Sequence, residues 1–258
     1  MPNKAKVRLW QVGILLVFLG LWEWGARTGR LDKLYFAQPS EIAARIVKWF
    51  SEGDIYRHLW VTSVEMLLAF VIGTLLGVAM GLWLALSPPV AAVLDPYIKA
   101  LNSIPRVLLA PIFTIWFGLG MLKMIALGIT LVFFVAFFNT YQGVREVNPV
   151  VLANARMLGA DGGRLLRHVY LPSAASWIFS SLRTSIGFAV IGAVIGEYLG
   201  SAAGLGYIIQ QAEGVFDTTG VFAGIVVLMV FVLALDYLVS RVEAQLLRWR
   251  PQEAEARS

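Results

Sequence analysis

"NARMLGADGGRLLRHVYLPSA", residues 154–174, gathers three arginines, a histidine, an aspartate and three glycines into twenty-one positions. The chain around it is 59% hydrophobic and only 14% charged over 258 residues, with a mean hydropathy of +0.74. A soluble domain of this size carries about 25% charged residues. Working outward, residues 124–144 contain no charged side chain, and neither do residues 66–94, 107–122 and 218–235. Each window is close to or beyond the roughly 20 residues that cross a hydrocarbon core about 30 Å thick. The quoted stretch is therefore a polar break in a polytopic membrane protein. Its spans are helical, because open sheet leaves backbone groups unsatisfied in lipid.

The apolar runs place six spans near residues 9–26, 61–86, 90–119, 122–142, 174–199 and 219–240. The fold class is all-α, and the whole chain, 1–258, reads as one transmembrane domain. The first run follows Lys4, Lys6 and Arg8 but is trailed by Trp22 and Trp24 rather than a small-residue cleavage site, so it reads as a retained span. Asn102, Pro105, Arg106 and Pro111 interrupt the third span, whose first half is expected at the interface or buried in protein. Segment 27–60 is expected outside the membrane with one short surface helix. In "QPSEIAARIVKWFSEGD", Ser40 reads as the N-cap, Ile42, Ile46, Trp49 and Phe50 as one face, and Gly53 as the stop. The tail "RWRPQEAEARS" reads as frayed.

Basic residues set the expected orientation. With the N-terminus inside, fourteen Lys and Arg fall on the cytoplasmic side and seven outside, six of these in the first external segment. The bias places both termini in the cytoplasm. It also accounts for the net charge of +5 as loop charge, with no nucleic-acid partner implied.

Segment 143–173 then becomes the longest cytoplasmic loop. Pro149 suits the first turn of a helix, where its missing N–H is not needed. Val151, Leu152, Ala155 and Leu158 form an apolar stripe, which Gly159 breaks. Asp161 begins a second helix with Leu165, Leu166, Val169 and Tyr170 on one side, and Leu171 with Pro172 is expected to end it. Such a helix–turn–helix suits a groove on a soluble partner or a resting place on lipid headgroups. Residues alone leave both open.

Inside the spans, an ionised group at mid-depth costs about 2.5–3.5 kcal/mol on the insertion scale. Glu197 follows thirteen uncharged residues. It reads either as lining a pathway or as a carboxylate at headgroup level. Asn139 with Thr140, and Asn102 with Ser103 beside Pro105, are the other polar groups placed to meet a solute or a neighbouring helix. Gly73, Gly77 and Gly81 recur every four residues as a ridge for close helix packing. "GSAAGLGYII" (residues 200–209) reads as a tight external turn.

Several chemistries are excluded or disfavoured. There is no cysteine, so no disulfide or thiolate chemistry. No Gly-Lys pair occurs, so the chain has no phosphate loop of its own. The two histidines, His58 and His168, lie in expected loops, and neither H-E-x-x-H nor G-x-S-x-G is present. A secondary transporter or channel working without an ATPase is the alternative. It would be expected to show internal repeats or several buried ionisable residues, and the sequence reading finds neither.

The quoted loop resembles the EAA motif of ABC importer permeases: Glu-Ala-Ala, three residues, Gly, nine residues, Ile, any residue, Leu-Pro. Ala155, Gly159, Leu171 and Pro172 match in place, Val169 stands for the isoleucine, and Ala153 and Asn154 depart from the first two positions. "LDPYIKALNSIPRVLLAPIFTIWFGLG" (94–120), "FFNTYQGVREVNP" (137–149) and "GEYLGSAAGLGYII" (196–209) are similar to permeases of the nitrate, sulfonate and taurine type. The resemblance implies a type I ABC importer permease fold in a bacterial inner membrane. It implies a coupling region of Ala153, Asn154, Ala155, Arg156, Leu158, Gly159, Ala160, Asp161, Leu171 and Pro172, seated in a cytoplasmic ATPase dimer that binds ATP and Mg. This chain itself would be no enzyme and would hold no cofactor. An extracellular or periplasmic solute-binding protein, a second copy of the chain and membrane lipid complete the implied partners. Asn102, Ser103, Asn139 and Glu197 are the candidate solute-pathway residues.

Overall fold

The structure is a computed structural model and describes residues 4–246; the tail 248–258, expected to be frayed, lies outside them. All regular elements among these residues are helical. They are α1 (Lys4–Arg27), α2 (Pro39–Glu52), α3 (Asp54–Ala85), α4 (Pro88–Ser103), α5 (Ala110–Phe117), α6 (Met121–Arg145), α7 (Pro149–Met157), α8 (Gly162–Leu165), α9 (Leu171–Tyr198), α10 (Leu205–Gly214) and α11 (Thr218–Leu246). Five helical segments are long and apolar enough to cross a membrane. A sixth span arises if α4 and the Arg106–Phe117 segment, which meet at a 90° bend, count as one. Large apolar side chains such as Leu9, Trp10, Leu75 and Leu233 point outward from these helices, as lipid-facing positions require.

Contacts gather the chain into two units, residues 4–61 with 203–230, and residues 62–202 with 231–246. In the first, α2 is tied to α1 by Ser40, whose N–H and Oγ both donate to the Glu23 carboxylate at 3.0 and 2.7 Å. Ser40 is thus not the N-cap of α2. Gln38 takes that place and Pro39 the first turn, because proline's fixed φ starts the helix two residues earlier. Ile42 is buried with Ala37 and Ala223 against Trp22, Ile46 and Trp49. Arg45 pairs with Asp217 at 2.6 Å, and Asp217 caps α11 by accepting from the Gly220 N–H at 3.0 Å.

The second unit is built on α6. A Cβ on Gly73, Gly77 or Gly81 would come within 2.8, 2.6 and 2.8 Å of Val132, Phe133 and Phe137 respectively. The glycine ridge of α3 therefore lies directly on α6, as its four-residue spacing predicts. α9 covers another side of α6: a Cβ on Gly192 would stand 2.5 Å from the Gly128 Cα, and one on Gly143 2.8 Å from the Trp177 Cβ. α5 joins them through Ala110, Phe113 and Leu127, packed against Ile195.

One expectation is met and two change. The third span is interrupted where its prolines and Asn102 placed the break. It breaks at Ile104 and Pro105, both extended, because the residue before a proline is pushed out of the helical region. Leu171 and Pro172, however, do not end a helix. They open α9, and a π turn, Leu166–Tyr170, joins α8 to it. The wider turn accommodates a proline that lacks an N–H and whose ring would press on the carbonyl four residues back. Segment 200–209 is a turn only in its first half, since Leu205 starts α10.

Close backbone contact makes a sharp prediction. Gly192→Ala puts a methyl into the α6 backbone and is expected to destabilise the protein by about 1–3 kcal/mol, read as a lower melting temperature in detergent. Gly13→Ala in α1, where nothing lies within 4 Å, serves as the control and is expected to leave melting unchanged or slightly raised.

Candidate functional site

Segment 143–173 folds from its own punctuation. The Asn148 side chain accepts from the Val150 N–H at 2.8 Å and Pro149 fills the first turn of α7. At the far end the Gly159 N–H donates to Arg156 O at 2.9 Å and the Ala160 N–H to Ala155 O at 3.0 Å. This closure needs a left-handed residue, and Gly159 has φ +81°. Space around Gly159 is open, so within this chain the glycine answers to the turn and not to a collision. Asp161 then caps α8, accepting from the Arg164 N–H at 2.8 Å.

The two arms close on a small core. Val147, Leu165 and Val169 are buried, with Leu152, Ala155, Ala160 and Tyr170 against them. The expected stripe splits here. Leu152 and Ala155 face in, whereas Val151 and Leu158 face out. Val151 lies about 100° round the helix from Leu152, and Leu158 is the C-cap, where helical periodicity stops. Met157 is 79% exposed and Leu158 88%, which leaves an apolar tip beside the Gly159 turn. Ala153, Asn154, Arg156 and Asp161 are exposed around it, as are Leu171 and Pro172 at the start of α9. From Gly162 to Tyr198 the chain is one helical segment of 37 residues, about 55 Å at 1.5 Å per residue.

The four candidate pathway residues occupy three separate settings. Asn102 and Ser103 sit at the end of α4, where Ser103 Oγ donates to Lys99 O at 2.8 Å. Arg106 folds back across the break, donating to Leu101 O, Ile104 O and Asn102 Oδ1 at 2.6, 2.9 and 2.9 Å, with its guanidinium 4.4 Å over the Phe134 ring. It therefore satisfies the carbonyls that the bend releases. Asn139 donates to Val135 O at 2.8 Å and lines a groove of about 400 Å³ with Asp95, Lys99, Tyr141 and Gln142.

Glu197 lies elsewhere. It is fully buried among protein groups, and its Oε1 accepts from Thr62 Oγ1 at 2.6 Å. Two ionisable residues that the sequence reading passed over are buried with it: Glu65 of α3 and Lys123 of α6, at 1% and 0% exposure. The Glu65 and Glu197 carboxyl groups hydrogen-bond to one another, and Lys123 Nζ donates to Gly200 O at 2.7 Å. Their signal in sequence was slight. Glu65 stands just before a long uncharged window and one helical turn after Thr62, and Lys123 read as an external loop charge.

Residues 73–248 match the family model described as binding-protein-dependent transport system inner membrane component. The chain is 31% identical to a Bacillus subtilis (strain 168) protein named as the aliphatic sulfonates transport permease SsuC, over 93% of this chain and 88% of that one. It is 28% identical to the taurine transport system permease protein TauC of Escherichia coli (strain K12), covering 96% and 92%. It is 29% identical to the riboflavin transport system permease protein RibX of Chloroflexus aurantiacus, covering 91% and 88%. Among solved structures, a chain of the inward-facing MetNI methionine ABC transporter superposes with a TM-score of 0.64 at 18% identity, over 75% of this chain and 94% of that one. This likeness fixes the fold, a type I ABC importer permease.

The Gly159 turn yields its own prediction. Gly159→Asn, which tolerates the left-handed region, is expected to keep amide protection in 154–164. Gly159→Val is expected to raise exchange there by about tenfold, the equivalent of the 1–2 kcal/mol left-handed strain.

Proposed function

This chain belongs to the family of binding-protein-dependent transport system inner membrane components, and we propose on that premise that it forms the solute pathway of an ATP-driven importer of a small anion of the nitrate, sulfonate, taurine or bicarbonate kind. Two copies enclose the pathway. A dimeric ATPase on the cytoplasmic side binds ATP and Mg and supplies the chemistry, and a solute-binding protein delivers cargo from outside. Both termini lie in the cytoplasm, in keeping with the basic-residue bias.

The observation that carries this reading is the exposed tip of Met157 and Leu158. Two bare apolar side chains on a capped, core-backed turn suit a hydrophobic cleft on a partner. The same turn stands one capping residue from a single helical segment, Gly162–Tyr198. Displacing the turn therefore displaces α9. α9 lies on α6 through Gly192 and Gly128 with no room for slack, so a push passes to the packed helices as a body. Closure of the ATPases thereby shifts the spans between inward-facing and outward-facing arrangements.

On the cytoplasmic side, the groove between α3, α4 and α6 is the proposed inner part of the route. It holds about 460 Å³ and is lined by Asp95, Lys99, Tyr141 and Arg145, with Asn139 close by. Lys99 is engaged by Asp95 at 2.6 Å, while Arg145 lies over Tyr141. A basic, hydrogen-bonding wall of this kind suits a small anion passing weakly held. The relatives are named for sulfonate, taurine and riboflavin transport, so the choice among cargoes falls to the binding protein.

Two measurements test the reading. Replacing Met157 and Leu158 together by Glu is expected to abolish co-purification with the ATPase and cut uptake about tenfold or more, as loss of a central apolar anchor does, with the chain still inserted. Normal uptake in that variant would remove the docking assignment. A thermal-shift panel on the cognate binding protein is expected to respond to taurine, alkanesulfonates, nitrate or bicarbonate; a response to riboflavin alone would overturn the anion assignment.

A further inference from the structure

Three ionisable side chains from three helices meet out of reach of water in the 62–202 unit. Glu65 of α3, Lys123 of α6 and Glu197 of α9 are at most 1% exposed. Thr62, also fully buried, donates its hydroxyl to Glu197 Oε1 at 2.6 Å. Glu65 Oε2 receives no hydrogen bond from a donor group among the described residues. Lys123 lies within electrostatic reach of Glu65 and spends a donor on Gly200 O, at 2.7 Å.

Counting hydrogens limits the states of this cluster. An ionised carboxylate accepts and cannot donate, so two buried carboxyl groups within reach of one another are favourable only when one of them holds a proton. With a single proton the three groups sum to zero charge: one neutral acid, one carboxylate, one ammonium. With none, a net negative charge is sealed among apolar helices, which is unfavourable unless paired. The bonding pattern assigns the proton to Glu65, because Glu197 already accepts from the Thr62 hydroxyl and a hydrogen bond to a carboxylate favours its charged form.

Geometry also says what the cluster holds. Gly196 brings α9 against α6, a Cβ there falling 3.2 Å from the Met124 Cα. Glu197 follows it into the interior. Gly200 ends the helix at φ +131°, and a Cβ on it would meet Lys123 Nζ at 3.4 Å and Leu119 Cδ2 at 3.3 Å. The turn thus rests on the ammonium group. It stands at the opposite end of the helical segment that begins beside Gly159.

We propose that Glu65, Glu197 and Lys123 form a charge-balanced clasp that keeps one proton inside the membrane domain and positions the Gly200 turn at the end of α9. The three are positioning residues for transport and need not touch cargo. Only the uptake arm of the test below rests on the importer reading.

The test uses the full-length chain in its complex. At neutral pH, where exposed carboxyl groups are ionised, infrared spectra are expected to show a carboxylic-acid carbonyl band in the unaltered protein that Glu65→Gln and Glu197→Gln each remove. Each single variant keeps the charge sum at zero, so its melting is expected to stay close to that of the parent, and Glu65→Gln is expected to keep uptake within about twofold. The double variant leaves Lys123 without a counter-charge and is expected to lose about tenfold or more, a strongly non-additive result. Absence of the acid band in the parent would overturn the proposal. So would single Gln variants as damaging as the double. If the parent complex shows no uptake, the importer reading fails, while the infrared band and the melting comparison still decide the clasp.

Discussion

Backbone-to-backbone contact along α6 is the constraint on which the rest of the molecule depends. Lipid supplies no hydrophobic drive between spans, so helices hold together by van der Waals contact and a few polar bonds. Gly73, Gly77 and Gly81 of α3, Gly128 and Gly143 of α6 itself, and Gly192 and Gly196 of α9 remove the side chains that would keep the helices apart. Dispersion attraction falls steeply with distance, so this proximity decides whether the bundle coheres. It also removes slack. A helix seated this closely can move only with its neighbours.

That rigidity gives the two polar features their meaning. The loop at one end of α9 is stiff in itself, closed by the Gly159 turn, the Asp161 cap and a core of Val147, Leu165 and Val169. The cluster at the other end fastens α9 to α3 and α6 through Thr62, Glu65 and Lys123. Between them the backbone never leaves helical geometry, since the π turn at Leu166–Tyr170 takes up the proline without a break.

The bend between α4 and α5 has the opposite character. The carbonyls at the end of a helix need partners, and the Arg106 guanidinium, a planar fork of donors, reaches those of Leu101, Asn102 and Ile104. The arginine that interrupts the third span in sequence is here the cap of its 90° turn. Farther along α4, Asp95 pairs with Lys99 at 2.6 Å in a groove lined also by Tyr141 and Arg145.

The order of the amino acids alone determined the class, the number and approximate limits of the spans, the glycine ridge of α3 and the punctuation of the 143–173 loop at Pro149, Gly159 and Asp161. These follow from transfer energies and local backbone geometry, which act over a few neighbouring residues. The EAA pattern likewise placed the chain among importer permeases before any coordinates. Tertiary structure alone decided that Leu158 faces out while Leu152 faces in, that Glu23 claims Ser40 away from capping, and that Pro172 starts a helix it could equally have ended. It also decided that Glu65, Lys123 and Glu197 meet. Each of these depends on a group far away in the chain, and no local energy term records which distant partner a buried charge or an apolar face will find.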